Sequence, residues 1–161
     1  MDEHSVRSQI QTLASRLRHR EQMLVTAESC TGGWLAKCLT DVDGSSSWFE
    51  GGVVSYSNAL KQKVLQVPKT VLLTEGAVSE ACARAMAVGA QTQLAGHWAI
   101  SITGIAGPGG GSDDKPVGTV WIGVAGPELS KAKRFLFHGD RDQVRQQTVV
   151  AALSLLLENL Q

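Results

Sequence analysis

Three segments of the chain carry polar side chains, two of them together with glycines, in patterns suited to catalysis. They are residues 28–33 (ESCTGG), 56–61 (YSNALK) and 103–111 (TGIAGPGGG). Each segment follows a short apolar run that predicts a buried β-strand. Because ligands of α/β sheets bind beyond the carboxyl ends of the strands, we expect the three segments to meet in one cleft.

The first segment carries a candidate nucleophile, Ser29, just before a predicted helix. Free N–H groups at a helix N-terminus favour an oxyanion or a phosphate, and Gly32 and Gly33 allow another group to approach closely. The alternative is that Ser29 or Thr31 only caps the helix. Cys30 is a rival nucleophile because a thiol is intrinsically more nucleophilic than a hydroxyl.

The second segment carries a candidate base, Lys61. If Ser57 or Asn58 caps the following helix, Lys61 lies in its first turn, where the helix dipole disfavours the lysine charge and lowers its pKa. A lysine base needs a lowered pKa, and Tyr56, the only tyrosine, offers a hydroxyl to hold or relay a proton. With Ser29, these residues form a set that hydrolyses amides without histidine. The alternative is a solvated Lys61.

The third segment is a glycine-rich loop whose backbone amides could wrap a phosphate. Its spacing differs from that of a P-loop, and its glycines do not open a helix as in a dinucleotide fingerprint. A loop that merely crosses the sheet is the alternative. The four histidines are scattered without metal-ligand spacing, so we predict no structural or catalytic zinc site.

Strand and helix patterns alternate along the chain. Strands are predicted over residues 23–27, 53–56, 98–103, 119–125 and 133–137. Helices are predicted over residues 1–21, 34–40, 57–66, 79–94 and from Asp140 to about 160. This order predicts one α/β domain over residues 1–161, with helices on both faces of a mostly parallel sheet that has an antiparallel edge. Residues 1–21 form an amphipathic helix that packs on it.

The composition excludes several classes of protein. Fifteen Lys and Arg balance fifteen Asp and Glu, which argues against nucleic-acid binding through phosphates. No apolar run approaches the roughly 20 residues of a membrane span, and the N-terminus lacks a signal-peptide pattern. Three cysteines without a C-x-x-C pair indicate reduced thiols, so we expect a cytoplasmic protein. The small residues of the helix after Ser79 suit a homo-oligomer.

Five blocks of the sequence together resemble the CinA C-terminal domain family, which includes bacterial nicotinamide-nucleotide amidases. The blocks are residues 27–33, 51–58, 76–80, 103–110 with 115–119, and 139–141. The resemblance covers nearly the whole chain. It implies hydrolysis of the carboxamide of nicotinamide mononucleotide to nicotinic acid mononucleotide and ammonia, in pyridine nucleotide recycling and without a cofactor.

The resemblance also implies roles for individual residues. Ser29 is expected to be the nucleophile, Lys61 its base and Tyr56 the proton partner. We expect an oxyanion site at the amides of residues 31–33, a nucleotide site at the loop and a phosphate contact from the residue at 141. The expected substrate contacts are therefore Thr31, Gly32, Gly33, Thr103, Gly104, Gly107, Gly109 and Arg141.

Two positions beside the proposed base depart from the family pattern. Ala59 and Leu60 stand where an acidic residue and an alanine are usual, and Gln66 replaces a glycine shortly after them. These departures keep two alternatives open. One is an amidase of the same mechanism with another substrate. The other is a diverged paralogue with weak or no activity that binds a nucleotide or a partner protein.

Overall fold

A five-stranded sheet forms the centre of the molecule in the computed structural model, which describes all of residues 1–161. The strands are β1 (Leu24–Glu28), β2 (Phe49–Val54), β3 (Trp98–Gly104), β4 (Thr119–Gly126) and β5 (Leu129–Leu136), in the spatial order β2-β1-β3-β4-β5. β1 is parallel to β2 and β3, whereas β4 is antiparallel to β3 and β5. The predicted α/β class with a parallel core and an antiparallel edge is confirmed.

Helices cover both faces of this sheet. They are α1 (Glu3–Arg20), α2 (Trp34–Thr40), α3 (Asn58–Leu65), α4 (Lys69–Thr74), α5 (Glu80–Gln93) and α6 (Arg141–Asn159), with a 3-10 turn at Ser45–Ser47. A core of 26 buried residues lies between the sheet and α1, α2 and α6. A second core of 11 residues lies under α3, α4 and α5 on the opposite face. None of the helices is both long and apolar enough to cross a bilayer.

The parallel strands end together at one edge of the sheet. The register places Glu28, the last residue of β1, beside Val54 of β2 and Ile102 of β3. The pairing continues past the strand, since the Ser29 N–H donates to the Ile102 carbonyl at 3.0 Å and the Ser55 N–H to the Glu28 carbonyl at 2.9 Å. The three segments with catalytic potential therefore leave the sheet side by side. A crevice forms there because the chain leaves β1 and β2 toward opposite sides.

The second and fifth strands differ from their predicted bounds, and α4 was not predicted. β2 begins at Phe49 rather than residue 53, because Gly51 and Gly52 continue the ladder with β1 instead of forming a turn. A Cβ at Gly52 would lie 1.9 Å from the Thr26 Oγ1, so this strand needs glycine for its close approach to β1. β2 ends at Val54, so Tyr56 lies beyond the strand. β5 begins at Leu129 because its first half pairs with β4 in a hairpin.

Candidate active site

Ser29 and Lys61 meet at the carboxyl edge of the sheet. The Lys61 Nζ lies 2.9 Å from the Ser29 Oγ, and it donates to the carbonyls of Ser55 and Tyr56 at 2.8 and 3.0 Å. Lys61 is 1% exposed, and no carboxylate pairs with it. A buried lysine without a counter-ion is rare unless the site uses its neutral form.

Burial lowers the pKa of Lys61 from its ordinary value. The direction agrees with the prediction. Ser57 is the N-cap of α3, so Lys61 is the fourth helical residue, and removal of its side chain from water is the main cause of the lowered pKa.

The hydrogen bonds around Lys61 suit a neutral amine that accepts a proton. A neutral lysine carries two N–H groups and one lone pair. When the carbonyls of Ser55 and Tyr56 accept the two N–H groups, the lone pair is left for the remaining neighbour, the Ser29 Oγ. The geometry can therefore support transfer of the Ser29 proton to Lys61.

Tyr56 joins the Ser29–Lys61 pair through its backbone rather than its ring. Its carbonyl accepts from the Lys61 Nζ and lies 3.4 Å from the Ser29 Oγ. Its side chain is 59% exposed, and its hydroxyl accepts from the Arg141 Nη2 at 3.3 Å. Arg141 also donates through Nη1 to the Gly107 carbonyl at 2.7 Å. The structure thus places the Tyr56 hydroxyl with Arg141 at the rim, away from its expected place beside the nucleophile.

Glu28 organises the turn that carries Ser29, a role that the sequence analysis missed. Its carboxylate accepts from the Thr31 hydroxyl at 2.6 Å and from the N–H groups of Leu35 and Ala36 at 2.9 and 3.0 Å. The N-cap position of α2 is Gly33, which has no side chain to cap the helix. Glu28, at the end of β1, therefore accepts hydrogen bonds from free N–H groups in the first turn of α2, and Ser29 does not cap this helix. The signal in the sequence was an acidic residue ending a buried strand.

A cleft of about 290 Å³ opens above the Ser29–Lys61 pair between the three segments. The predicted site residues that line it are Ser29, Tyr56, Lys61, Thr103, Gly104, Gly107, Gly109 and Arg141. Asn58, Ala77 and Val78 also line it, and the last two lie in the 76–80 block of the sequence that carries the family resemblance. The Thr103 hydroxyl donates to the Ala77 carbonyl at 2.8 Å, so it holds the wall of the cleft.

Thr31, Gly32 and Gly33 do not line the cleft, contrary to their expected role as substrate contacts. Thr31 is fully buried, and its hydroxyl is committed to Glu28. Gly32 and Gly33 have positive φ angles of 62° and 101°, which turn the chain away toward α2. What remains available in this turn is main-chain N–H groups other than that of Gly32, which donates to the Ser29 carbonyl.

Several unpaired N–H groups surround the cleft. Those of Cys30 and Thr31, beside the nucleophile, donate to no other residue. Those of Ala106, Gly107 and Gly109 in the opposite loop are likewise unpaired. Cys30, Ala106, Gly107 and Gly109 line the cleft. Free main-chain donors of two segments are therefore available near the buried serine, which suits an anion or a developing oxyanion.

The sequence model of the CinA C-terminal domain matches residues 6–160 of the chain. The chain belongs to this family. Nicotinamide-nucleotide amidohydrolase PncC from Pseudomonas putida is 48% identical over 153 residues, covering 92% of this chain and 96% of the relative. The crystal structure of competence damage-inducible protein A (ComA) from Klebsiella pneumoniae has a TM-score of 0.92 at 38% identity, covering 96% of both chains.

Other members of the CinA C-terminal domain family are longer. A CinA-like protein from Anaeromyxobacter dehalogenans is 49% identical over 144 residues, which are 89% of this chain and 35% of the relative. The chain thus spans about a third of the length of that relative. The match to the Pseudomonas putida protein, in contrast, covers nearly all of both chains.

Cys30 of this CinA C-terminal domain is a poor nucleophile despite its place beside Ser29. Burial raises the pKa of the Cys30 thiol to about 11, so it stays protonated near neutral pH. Burial likewise raises the pKa of Cys82 to about 11. No group of three or more His, Cys, Asp and Glu side chains is arranged to hold a metal ion. The reactive groups of the cleft are therefore a hydroxyl and an amine.

Proposed function

We propose that this chain deamidates nicotinamide mononucleotide to nicotinic acid mononucleotide and ammonia. The observation that carries the proposal is the 2.9 Å contact between the Ser29 Oγ and the buried Lys61 Nζ, whose pKa is lowered by burial. Two relatives support the substrate. The Pseudomonas putida and Escherichia coli proteins named nicotinamide-nucleotide amidohydrolase are 48% and 49% identical to this chain over most of their length.

The first half of the reaction acylates Ser29. Neutral Lys61 takes the hydroxyl proton while the Ser29 Oγ forms a bond to the carboxamide carbon, and the carbonyl π electrons move to its oxygen. The oxyanion re-forms the carbonyl, and the C–N bond breaks. The leaving nitrogen takes the proton from the Lys61 ammonium and departs as ammonia, which leaves Lys61 neutral again.

The second half releases the acid. Lys61 takes a proton from a water molecule as its oxygen bonds to the acyl carbon. The tetrahedral intermediate then expels the Ser29 oxygen, which recovers its proton from Lys61. Unpaired N–H groups of the 30–31 turn and of the 106–109 loop stabilise the oxyanion in both halves. The sequence of steps uses neither a metal nor a cofactor.

Arg141 and the glycine-rich loop hold the nucleotide in this proposal. Arg141 lines the cleft and is exposed, with its guanidinium fixed by the Gly107 carbonyl and the Tyr56 hydroxyl. A guanidinium held in this way recognises a phosphate through several donors. The Tyr56 carbonyl therefore accepts a hydrogen bond from the catalytic Lys61, and the Tyr56 hydroxyl holds the guanidinium that binds the nucleotide.

The structure offers no support for the idle-paralogue alternative. Ala59 and Leu60, which depart from the family pattern, are exposed and do not line the cleft. The Ser29–Lys61 contact is formed in full. The homo-oligomer, the cytoplasmic location and the place in pyridine nucleotide recycling stay predictions.

The decisive experiment measures ammonia and nicotinic acid mononucleotide released from nicotinamide mononucleotide by the purified protein. Nicotinamide and nicotinamide riboside serve as competing substrates, which test the need for the phosphate. We expect release from the mononucleotide and none by the Ser29→Ala variant. A folded parent protein that releases no ammonia from the mononucleotide would refute the proposed substrate.

A further inference from the structure

Arg145 of α6 reaches across to the turn that carries the nucleophile. Its Nε donates to the Cys30 carbonyl at 3.0 Å, and its Nη2 donates to the Thr31 carbonyl at 3.1 Å. The guanidinium lies over the Trp34 ring, 5.2 Å from the centroid. Arg145 does not line the cleft and forms no salt bridge. Its charge therefore acts on two peptide groups rather than on a carboxylate or on substrate.

One of these two peptide groups carries a free N–H near Ser29, and the other is hydrogen-bonded to the Ser29 carbonyl. The Cys30 carbonyl shares a planar trans peptide with the N–H of Thr31, so the two point in opposite directions. Arg145 thus turns the unpaired Thr31 N–H away from α6, and the bound cation strengthens that N–H as a donor. The Thr31 carbonyl shares its peptide with the Gly32 N–H, which donates to the Ser29 carbonyl at 3.0 Å.

The surroundings fit a guanidinium at this place. Only a planar fork supplies two N–H groups to adjacent carbonyls while it stacks on an aromatic ring. Gly32 adjoins the guanidinium, since a Cβ there would lie 3.4 Å from the Arg145 Nη2. The Trp34 ring lies against the guanidinium group in a cation–π contact.

We propose that Arg145 is a positioning residue for the amide hydrolysis, acting through the peptides of Cys30 and Thr31. It orients the Ser29 turn and strengthens the Thr31 N–H as a donor to the oxyanion. The inference rests on the proposed function. Because the oxyanion exists only in the transition state and the intermediates, loss of Arg145 lowers kcat and leaves KM nearly unchanged.

The test compares Arg145→Ala, Arg145→Lys and the control Arg84→Ala in the full chain. Arg84 is an exposed arginine on α5 whose side chain makes no hydrogen bond in the structure. We expect Arg145→Ala to lose about 10²-fold in kcat, as for removal of an oxyanion donor. Added guanidinium ion, below denaturing concentration, should restore part of the loss. Arg145→Lys should retain more activity, and Arg84→Ala should match the parent with no response to guanidinium.

A second readout separates this inference from the proposed substrate. An activated ester that acylates Ser29, or a sulfonyl fluoride that sulfonylates it with loss of fluoride, reports on the nucleophile without nicotinamide mononucleotide. If the parent is labelled but does not deamidate the mononucleotide, the proposed function fails, and slower labelling of Arg145→Ala still supports the inference. Three results overturn it: labelling and kcat within threefold of the parent, a raised KM at unchanged kcat, or a loss that neither lysine nor guanidinium relieves.

Discussion

The Lys61 amine contacts the Ser29 hydroxyl at 2.9 Å although 32 residues separate them in the chain. The contact is buried, and two main-chain carbonyls accept the remaining hydrogens of the amine. The pair forms because β1 and β2 are adjacent and parallel, so the residues that follow them leave the sheet at the same edge. Most of the proposed chemistry depends on this single relationship.

Replacing Lys61 by arginine should abolish most of the activity. Arginine keeps the positive charge but does not give up its proton near neutral pH, so it cannot take the proton of Ser29. We expect kcat to fall by about 10²–10⁴-fold, the usual contribution of a general base. Lys61→Met serves as a second variant in case the bulk of arginine disturbs the fold, which circular dichroism will show.

The matched control is Lys63→Arg, an exposed position on the same helix. It should retain the activity of the parent protein. If Lys61→Arg hydrolyses the substrate within a few-fold of the parent, Lys61 is not the base.

The pH profile of kcat should rise along a single limb as pH increases. The active form of Lys61 is the neutral amine, and burial lowers its pKa, so the amine loses its proton at a lower pH than an ordinary lysine does. The midpoint of this limb should therefore lie below the ordinary lysine pKa of ~10.4. Steady-state rates across the stable pH range will measure the midpoint, and a midpoint at the ordinary lysine value would contradict the role of burial.

Cys30→Ala should keep most of the activity, whereas Ser29→Ala should lose it. The pKa of Cys30 is raised to about 11 by burial, so the thiolate is scarce below that pH. Thiol-blocking reagents should likewise fail to inactivate the native enzyme quickly. An inactive Cys30→Ala beside an active Ser29→Ala would show that the cysteine is the nucleophile.

Glu28→Gln should destabilise the protein and lower its activity together. The amide group of glutamine would place N–H donors against the Ala36 N–H, which now donates to a carboxylate oxygen. A buried donor left unpaired costs about 1–3 kcal/mol. Urea unfolding will give the free energy change. The control Glu50→Gln, at an exposed position of β2, should unfold as the parent does.

Removal of divalent metals should leave the activity intact. The base in the proposed reaction is a lysine amine, and the oxyanion is held by N–H groups, so no step needs a Lewis acid. Activity measured after dialysis against EDTA should equal that of untreated protein. Loss of activity that one added metal restores would replace the serine–lysine mechanism with a metal-dependent one.

The sequence by itself determined the class of fold and the segments that form the cleft. Alternating periodicities depend on local burial, so they predicted α2 over Trp34–Thr40 without any tertiary information. Residue types that cap helices predicted the starts at Ser79, at Asp140 and at either Ser57 or Asn58, and the structure has Ser57 as the cap of α3. The positions of Ser29 and Lys61 after two predicted strands were enough to propose that the residues meet. The predicted start of a strand was wrong where glycines continued the strand, as in β2, which begins at Phe49 rather than at residue 53.

Only the tertiary structure decided which atoms of those segments act. The burial of Lys61, the use of the Tyr56 carbonyl instead of its hydroxyl, and the cap from Glu28 all depend on contacts between residues distant in the chain or on backbone direction. Arg145 is 115 residues from Cys30, and no periodicity predicts that its guanidinium reaches that carbonyl. Local patterns record which residues are buried, whereas the direction of a side chain is set by the packing of neighbouring elements.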